Sequence, residues 1–86
     1  MRVEIAPSAA RDLRRLPVGV RQRLAVAILS LGDQPRPPGV RKIRGAERAF
    51  RIRVARYRVI YDVYDHEQLV VILAVGPRNE GTYRGY

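Results

Sequence analysis

Phe50-Arg-Ile-Arg-Val-Ala-Arg-Tyr-Arg-Val-Ile-Tyr61 is the stretch whose reading decides the fold. Apolar residues and arginines alternate through Val54, break briefly, and resume at Tyr57, Arg58 and Val59. Period-two alternation marks strands with one buried and one exposed face. The exposed face here is cationic. Evenly spaced arginines on a rigid sheet repel one another, so the pattern costs stability unless an anion is the intended neighbour.

The break sets the register. With Ala55-Arg56 as a two-residue turn, Val54 pairs with Tyr57 and Arg53 with Arg58. Opposite residues project from the same face with Cβ atoms ~5 Å apart. Arg51 lies two residues back on that face, opposite Ile60. A second turn centred on His66-Glu67 predicts Arg58 opposite Val75, with Arg78 just beyond the last strand. Arg53, Arg58 and Arg78 then converge on one end of the sheet, and Tyr83 joins them if the tail folds back. No acidic residue stands between Glu47 and Asp62 to neutralise them. The cluster has the make-up of a phosphate-binding concavity, where arginine contacts are charge-assisted and bidentate. A set of solvated surface arginines is the plainer reading of the same pattern.

Working outward, residues 2–6 alternate and read as a first strand, broken at Pro7-Ser8, with Ser8 as the helix N-cap. Ala9, Leu13 and Leu16 recur at helical spacing, with Arg11, Asp12, Arg14 and Arg15 expected to face water. Pro17 suits the start of a second helix. Val20, Leu24, Ala27, Ile28 and Leu31 carry that helix's apolar face to Gly32-Asp33. Residues 32–41 are a loop rich in proline and glycine, Lys42 to Arg44 a brief strand closed by Gly45. Strands are predicted over 49–54, 57–65 and 69–75, with Gly76-Pro77 stopping the last. The expected fold is α+β, in the order β-α-α-β-β-β: a small, mostly antiparallel sheet with an N-terminal helical hairpin packed on one face, residues 1–86 forming one domain.

Composition narrows the function. The chain has 86 residues, a hydrophobic fraction of 47%, and no cysteine. One histidine and scattered carboxylates do not make a metal site, so neither metal nor cofactor is expected. No signal peptide or membrane span is visible, and a cytoplasmic location is the default. The net charge is +9, from 17 Lys+Arg against 8 Asp+Glu, and Lys42 is the only lysine. Arginine suits bidentate phosphate recognition and base stacking, which fits nucleic acid or an acidic protein partner. A GC-rich genome explains arginine over lysine equally well, though not the size of the net charge.

At these residues the chain resembles the RelE/ParE superfamily of bacterial type II toxins. The resemblance runs through the early strand, the helical hairpin, Lys-Ile-Arg-Gly at 42–45, the basic strand 50–54, Tyr57-Arg-Val-Ile-Tyr61, and Val75-Gly-Pro-Arg78 with a nearby tyrosine. It implies a ribosome-dependent mRNA interferase that enters the ribosomal A site and cleaves by attack of a ribose 2′-OH on the adjacent phosphate. It implies a cognate acidic antitoxin that wraps the toxin, and assembly as a toxin–antitoxin heterotetramer. Carried over residue by residue, the active set falls on Arg51, Arg53, Arg58, Arg78 and Tyr83. Lys42, Arg44 and Arg56 are the expected RNA contacts around it. ParE-like relatives share the fold, act on DNA gyrase, and generally lack the full basic-plus-tyrosine set. The chain departs from the better-known members in having arginines at 51 and 53 where they carry lysines, Ala55-Arg56 where many have Gly-Asp, and Pro77 where His or Lys is frequent.

Cleavage by a 2′-OH needs a proton acceptor, charge stabilisation, and a donor for the leaving oxygen. Arginine, with a pKa above ~12, is not a base. The arginines clamp phosphate, and Tyr83, its pKa lowered by arginine neighbours, is the expected base. Arg78 or Arg53 hydrogen-bonds the leaving oxygen. His66 is expected as a solvated turn residue at the wrong end of the sheet, and Tyr57 and Tyr61 as core.

Overall fold

Alternating apolar residues need a second layer to bury them, and two amphipathic helices supply it. In the computed structural model, which describes residues 1–77, the order is β1 (Arg2–Ile5), α1 (Pro7–Arg14), α2 (Val18–Asp33), β2 (Arg41–Lys42), β3 (Ala49–Val54), β4 (Tyr57–Tyr64) and β5 (Leu69–Pro77). These strands form one sheet in the order β1-β5-β4-β3-β2. β1 runs parallel to β5, and every other pairing is antiparallel. The α+β architecture is the one expected, with the first strand returning to the far edge beside the last.

The helices cover one face. Leu24, Ile28 and Leu31 of α2 and Ala9 of α1 pack on Ile52, Val59, Tyr61, Val63, Val70, Ile72 and Val75. All of these are nearly or fully buried. Tyr57 leans on the edge of this cluster. The opposite face holds a smaller cluster of Ile43, Ala49 and Ile60, flanked by Ala46, Leu73 and Ala74. Gly32 is where α2 and β1 meet. A Cβ there would lie 2.7 Å from the Met1 carbonyl oxygen, a backbone atom with little room to move.

Several local details differ from expectation. Ser8 does not cap α1; the helix begins at Pro7, whose missing N–H suits a first-turn position, and Ser8 Oγ donates to Leu73 O at 2.7 Å. Asp12 does not simply face water, because its carboxylate accepts from Val75 N at 2.9 Å. The brief strand is Arg41–Lys42 rather than Lys42 to Arg44, because the chain turns at Gly45, where φ is +83°. A bulge between Ile60 and Tyr61 shifts the β4–β5 register by one residue, with Leu73 as the extra residue. Arg58 therefore faces Gly76, not Val75. β5 also continues through Pro77, which pairs with Tyr57 where the ladder ends.

The loop between α2 and β2 is pinned to the sheet. The Tyr61 hydroxyl donates to Pro35 O at 2.7 Å. Arg36 makes a two-pronged pair with Asp65 at 3.1 and 2.9 Å, and its guanidinium lies 5.1 Å from the Phe50 ring centroid. Among the described residues, no helix is long and apolar enough to cross a membrane.

Candidate nucleic-acid interface

The two-residue turn does what the alternation requires. Val54 pairs with Tyr57 and Arg53 with Arg58, directly opposite across β3 and β4. Of the two turn residues only Ala55 takes a positive φ, +55°. That is the type II′ pattern, which follows the twist of the flanking strands. Arg51 stands opposite Ile60 on the same face. This is the face away from the helices, since Phe50, Ile52 and Val54 all contact the helix-side core.

The short β2 adds a fourth member that sequence reasoning missed. Arg41 pairs with Arg51, so the two project from the same face as Arg53 and Arg58. Three neighbouring strands thus carry two opposed arginine pairs. They lie two residues apart along β3, about 7 Å. A two-residue strand leaves too little alternation to read, which is why Arg41 was not singled out.

The four differ in how they are held. Arg53 and Arg41 are exposed and Arg51 is half-buried. Arg58 is half-buried with its Nε fully enclosed, and it faces a residue with no side chain, Gly76. Enclosure at Nε restricts the side chain, which lowers the rotamer entropy that binding an anion would otherwise cost. Beside the pairs runs a groove of about 760 Å³ between α2 and β3. Ala27, Leu31, Pro37 and Pro38 help line it, with Arg41, Arg51 and Arg53 at its rim.

The other predicted contacts are arranged differently. Lys42 lies opposite Phe50 and so on the helix side. Its ammonium donates to Ala46 O and Glu47 O, both at 2.8 Å, and sits 5.3 Å from the Phe50 ring centroid. It fastens the turn after β2 and is not part of the arginine face. Arg44 is exposed in that turn. Arg56 is exposed in the hairpin turn, two residues from Arg58. Arg78 and Tyr83 lie outside the described residues. His66 is exposed in the β4–β5 turn, at the opposite end of β4 from Arg58.

Tyr61 is fully buried, and burial pushes its hydroxyl up to about 12, only partly opposed by Arg36. It is a structural donor to the loop and unsuited to accept a proton near neutrality. The Tyr64 hydroxyl donates to Asp62 Oδ2 at 3.3 Å, and its ring carries the Arg48 guanidinium at 5.1 Å. Among the described residues, no group of three metal-ligating side chains occurs.

Comparison with known proteins places this geometry. The family model for the ParE toxin of the type II toxin–antitoxin system parDE matches residues 3–81. The putative toxin RelE1 of Methanocaldococcus jannaschii is 27% identical over 85 residues, covering 95% of this chain and 93% of its own. The toxin–antitoxin complex RelBE2 of Mycobacterium tuberculosis contains a chain similar at TM-score 0.80 and 28% identity, with 90% of this chain and 96% of that one covered. The archaeal RelE–RelB complex of Pyrococcus horikoshii gives TM-score 0.80 and 30% identity, with 92% and 96% covered. An antiparallel arginine hairpin under a helical layer, matched along nearly its whole length, identifies this chain as a type II toxin of the ParE toxin family, within the RelE/ParE superfamily.

Proposed function

We propose that this toxin is a ribosome-dependent mRNA endonuclease, cleaving by attack of a ribose 2′-OH on the adjacent phosphate. The observation that carries the reading is the direct cross-strand pairing of Arg53 with Arg58, with Arg51 and Arg41 paired beside it. Like charges opposed at this spacing repel. A phosphate between them turns the repulsion into charge-assisted hydrogen bonds.

In this reading Arg58, enclosed and opposite Gly76, holds the scissile phosphate and stabilises the charge that develops on it. Arg53 closes on the same phosphate from β3. Arg51 and Arg41 hold the neighbouring stretch of backbone. Tyr83 takes the proton from the 2′-OH as the O2′–P bond forms and the P–O5′ bond breaks. Arg78 or Arg53 hydrogen-bonds the leaving 5′-oxygen, which takes a proton from water, and a 2′,3′-cyclic phosphate remains. Much of the rate comes from holding nucleophile and phosphate in line. The ribosomal A site contributes to that alignment. Arg44 and Arg56 contact flanking backbone.

The similar structures include toxins bound to antitoxins. A cognate acidic antitoxin, in a toxin–antitoxin heterotetramer, is the partner that fits a chain of net charge +9. The matching family is itself described by a ParE toxin, which favours a second reading: a protein-binding inhibitor of DNA gyrase without nuclease activity.

One experiment separates the two. Message 5′ ends are mapped after brief induction, and gyrase supercoiling is assayed in parallel. Codon-phased cuts on translated messages with normal supercoiling support the nuclease. Intact messages with inhibited gyrase would replace it with the second reading.

A further inference from the structure

The sheet has two edges of opposite character. The arginines stand on β2, β3 and β4, whereas β1 forms the other edge. The Arg2 and Ala6 amides donate to Gln68 O and Ile72 O, both at 2.9 Å. That phase turns the N–H and C=O groups of Val3 and Ile5 away from β5, toward the outside. Among the described residues, no backbone partner for Val3 or Ile5 is found at that edge.

Apolar surface flanks this edge on the helix side. Ile5 is 46% exposed and Leu29 67% exposed. Gly32 meets Met1 and Val3, which fixes the side of α2 that looks toward β1. Leu29 and the exposed Ala25 lie three and seven residues before Gly32, on the same side of the helix. On the other face, Arg2 and Glu4 stand side by side at 3.7 Å, both exposed.

We infer that β1 is a homotypic interface, which a second copy of this chain enters by antiparallel strand pairing about a two-fold axis at Val3. In that register Val3 meets the partner's Val3 as a hydrogen-bonded pair, and Ile5 meets the partner's Met1. Arg2 lies opposite the partner's Glu4, and Glu4 opposite the partner's Arg2. A two-fold axis makes both contacts at once, so the short motif Arg2-Val3-Glu4 complements itself. A dyad at Glu4 would instead oppose two glutamates. Ile5, Ala25 and Leu29 of the two copies are brought together on the helix side.

Charge distribution favours this edge for self-association. Two molecules of net charge +9 repel, yet the arginine pairs of β2, β3 and β4 need not approach. With strands about 4.8 Å apart, the two β3 strands of the dimer stand roughly 30 Å from each other. The Debye length at physiological salt is ~8 Å, so the repulsion between the clusters is largely screened. Both arginine faces stay open. The inference is independent of which target the toxin attacks.

Sedimentation equilibrium of the full chain from micromolar to millimolar concentration, at ~0.15 M salt, tests it. The expected result is a concentration-dependent monomer–dimer equilibrium. Glu4→Arg should weaken it by about tenfold or more, because two attractive pairs become four clustered arginines. Arg2→Glu combined with Glu4→Arg restores complementarity and should return the dissociation constant to within a few fold. Leu29→Glu should weaken the dimer by a separate route. All three residues are exposed, and an unchanged circular-dichroism melt verifies that each variant folds. A monomer at every concentration overturns the proposal; it would mean that two charges on a short strand merely blunt the edge. Dimerisation indifferent to Glu4→Arg, or a charge swap that fails to restore it in a folded protein, overturns it equally.

Discussion

Arg58 is the residue on which the proposed chemistry turns. Its Nε is enclosed, its strand neighbour across the sheet is a glycine, and Arg53 stands directly opposite. Arg58→Ala should abolish growth arrest at matched expression while leaving the melting profile essentially unchanged; full toxicity would remove Arg58 from the site. Arg41 tests the outer pair. Arg41→Ala should weaken binding to a short single-stranded RNA uniformly across sequences and lower the slope of log affinity against log salt by about 1. Tyr61 shows the other use of a polar side chain in this fold. Its hydroxyl is pushed up to about 12, from 10.0, by burial. A raised pKa favours the protonated form in the folded state. The contribution to stability is complete below about pH 10 and is lost as pH rises toward about 12. Tyr61→Phe should flatten that alkaline loss in a stability–pH profile, and should cost about 1 kcal/mol at neutral pH through the bond to Pro35 O. Arg53 and Arg58 were legible as a pair because a two-residue turn fixes register unambiguously. Arg41 was not, because its partner is set by a strand of only two residues.

At the level of elements, the hairpin of β3 and β4 carries a strain that could be relieved. Ala55 holds φ at +55°, a region where a Cβ costs about 1 kcal/mol. Ala55→Gly should therefore stabilise the fold by ~0.5–1 kcal/mol in urea denaturation, since the turn already suits glycine. The contact between α2 and β1 behaves in the opposite way. Gly32→Ala places a Cβ 2.7 Å from Met1 O, and the main chain must give way. A loss of about 1–3 kcal/mol is expected, read as a lowered denaturation midpoint. The strands over 49–54 and 57–65 followed from alternation and turn residues, the second ending one residue earlier than expected, at Tyr64. The bulge at Leu73 did not, because one extra residue inside Leu69–Pro77 leaves the apolar run looking continuous. Nor did the seat of Ser8, whose hydroxyl reaches Leu73 O across 65 residues of chain rather than the amides beside it. Local propensity sees only neighbours in sequence.

Across the whole molecule, paired arginines stand on β2, β3 and β4, exposed Arg11, Arg14, Arg15, Arg21 and Arg23 stud the helical layer, and β1 at the far edge carries Arg2 and Glu4 in balance. Association with polyanions should accordingly be steep in salt. With three or four phosphates held, raising salt from about 50 to 200 mM should weaken binding to single-stranded RNA by on the order of tenfold or more. A salt-independent affinity would mean that the arginines do not meet phosphate. The parallel seating of β1 on β5 also has a consequence in time. Residues 41–64 can pair as soon as they exist, being neighbours along the chain, but the outer strand joins Arg2 to Leu69 and Ile5 to Ile72. The first strand to leave the ribosome is thus the one obliged to wait, its position undefined until most of the chain has been synthesised. Completion of the sheet therefore waits on β5: until residues 69–72 have been made, β1 has no strand to lie beside, and the helical layer is closed at one edge only.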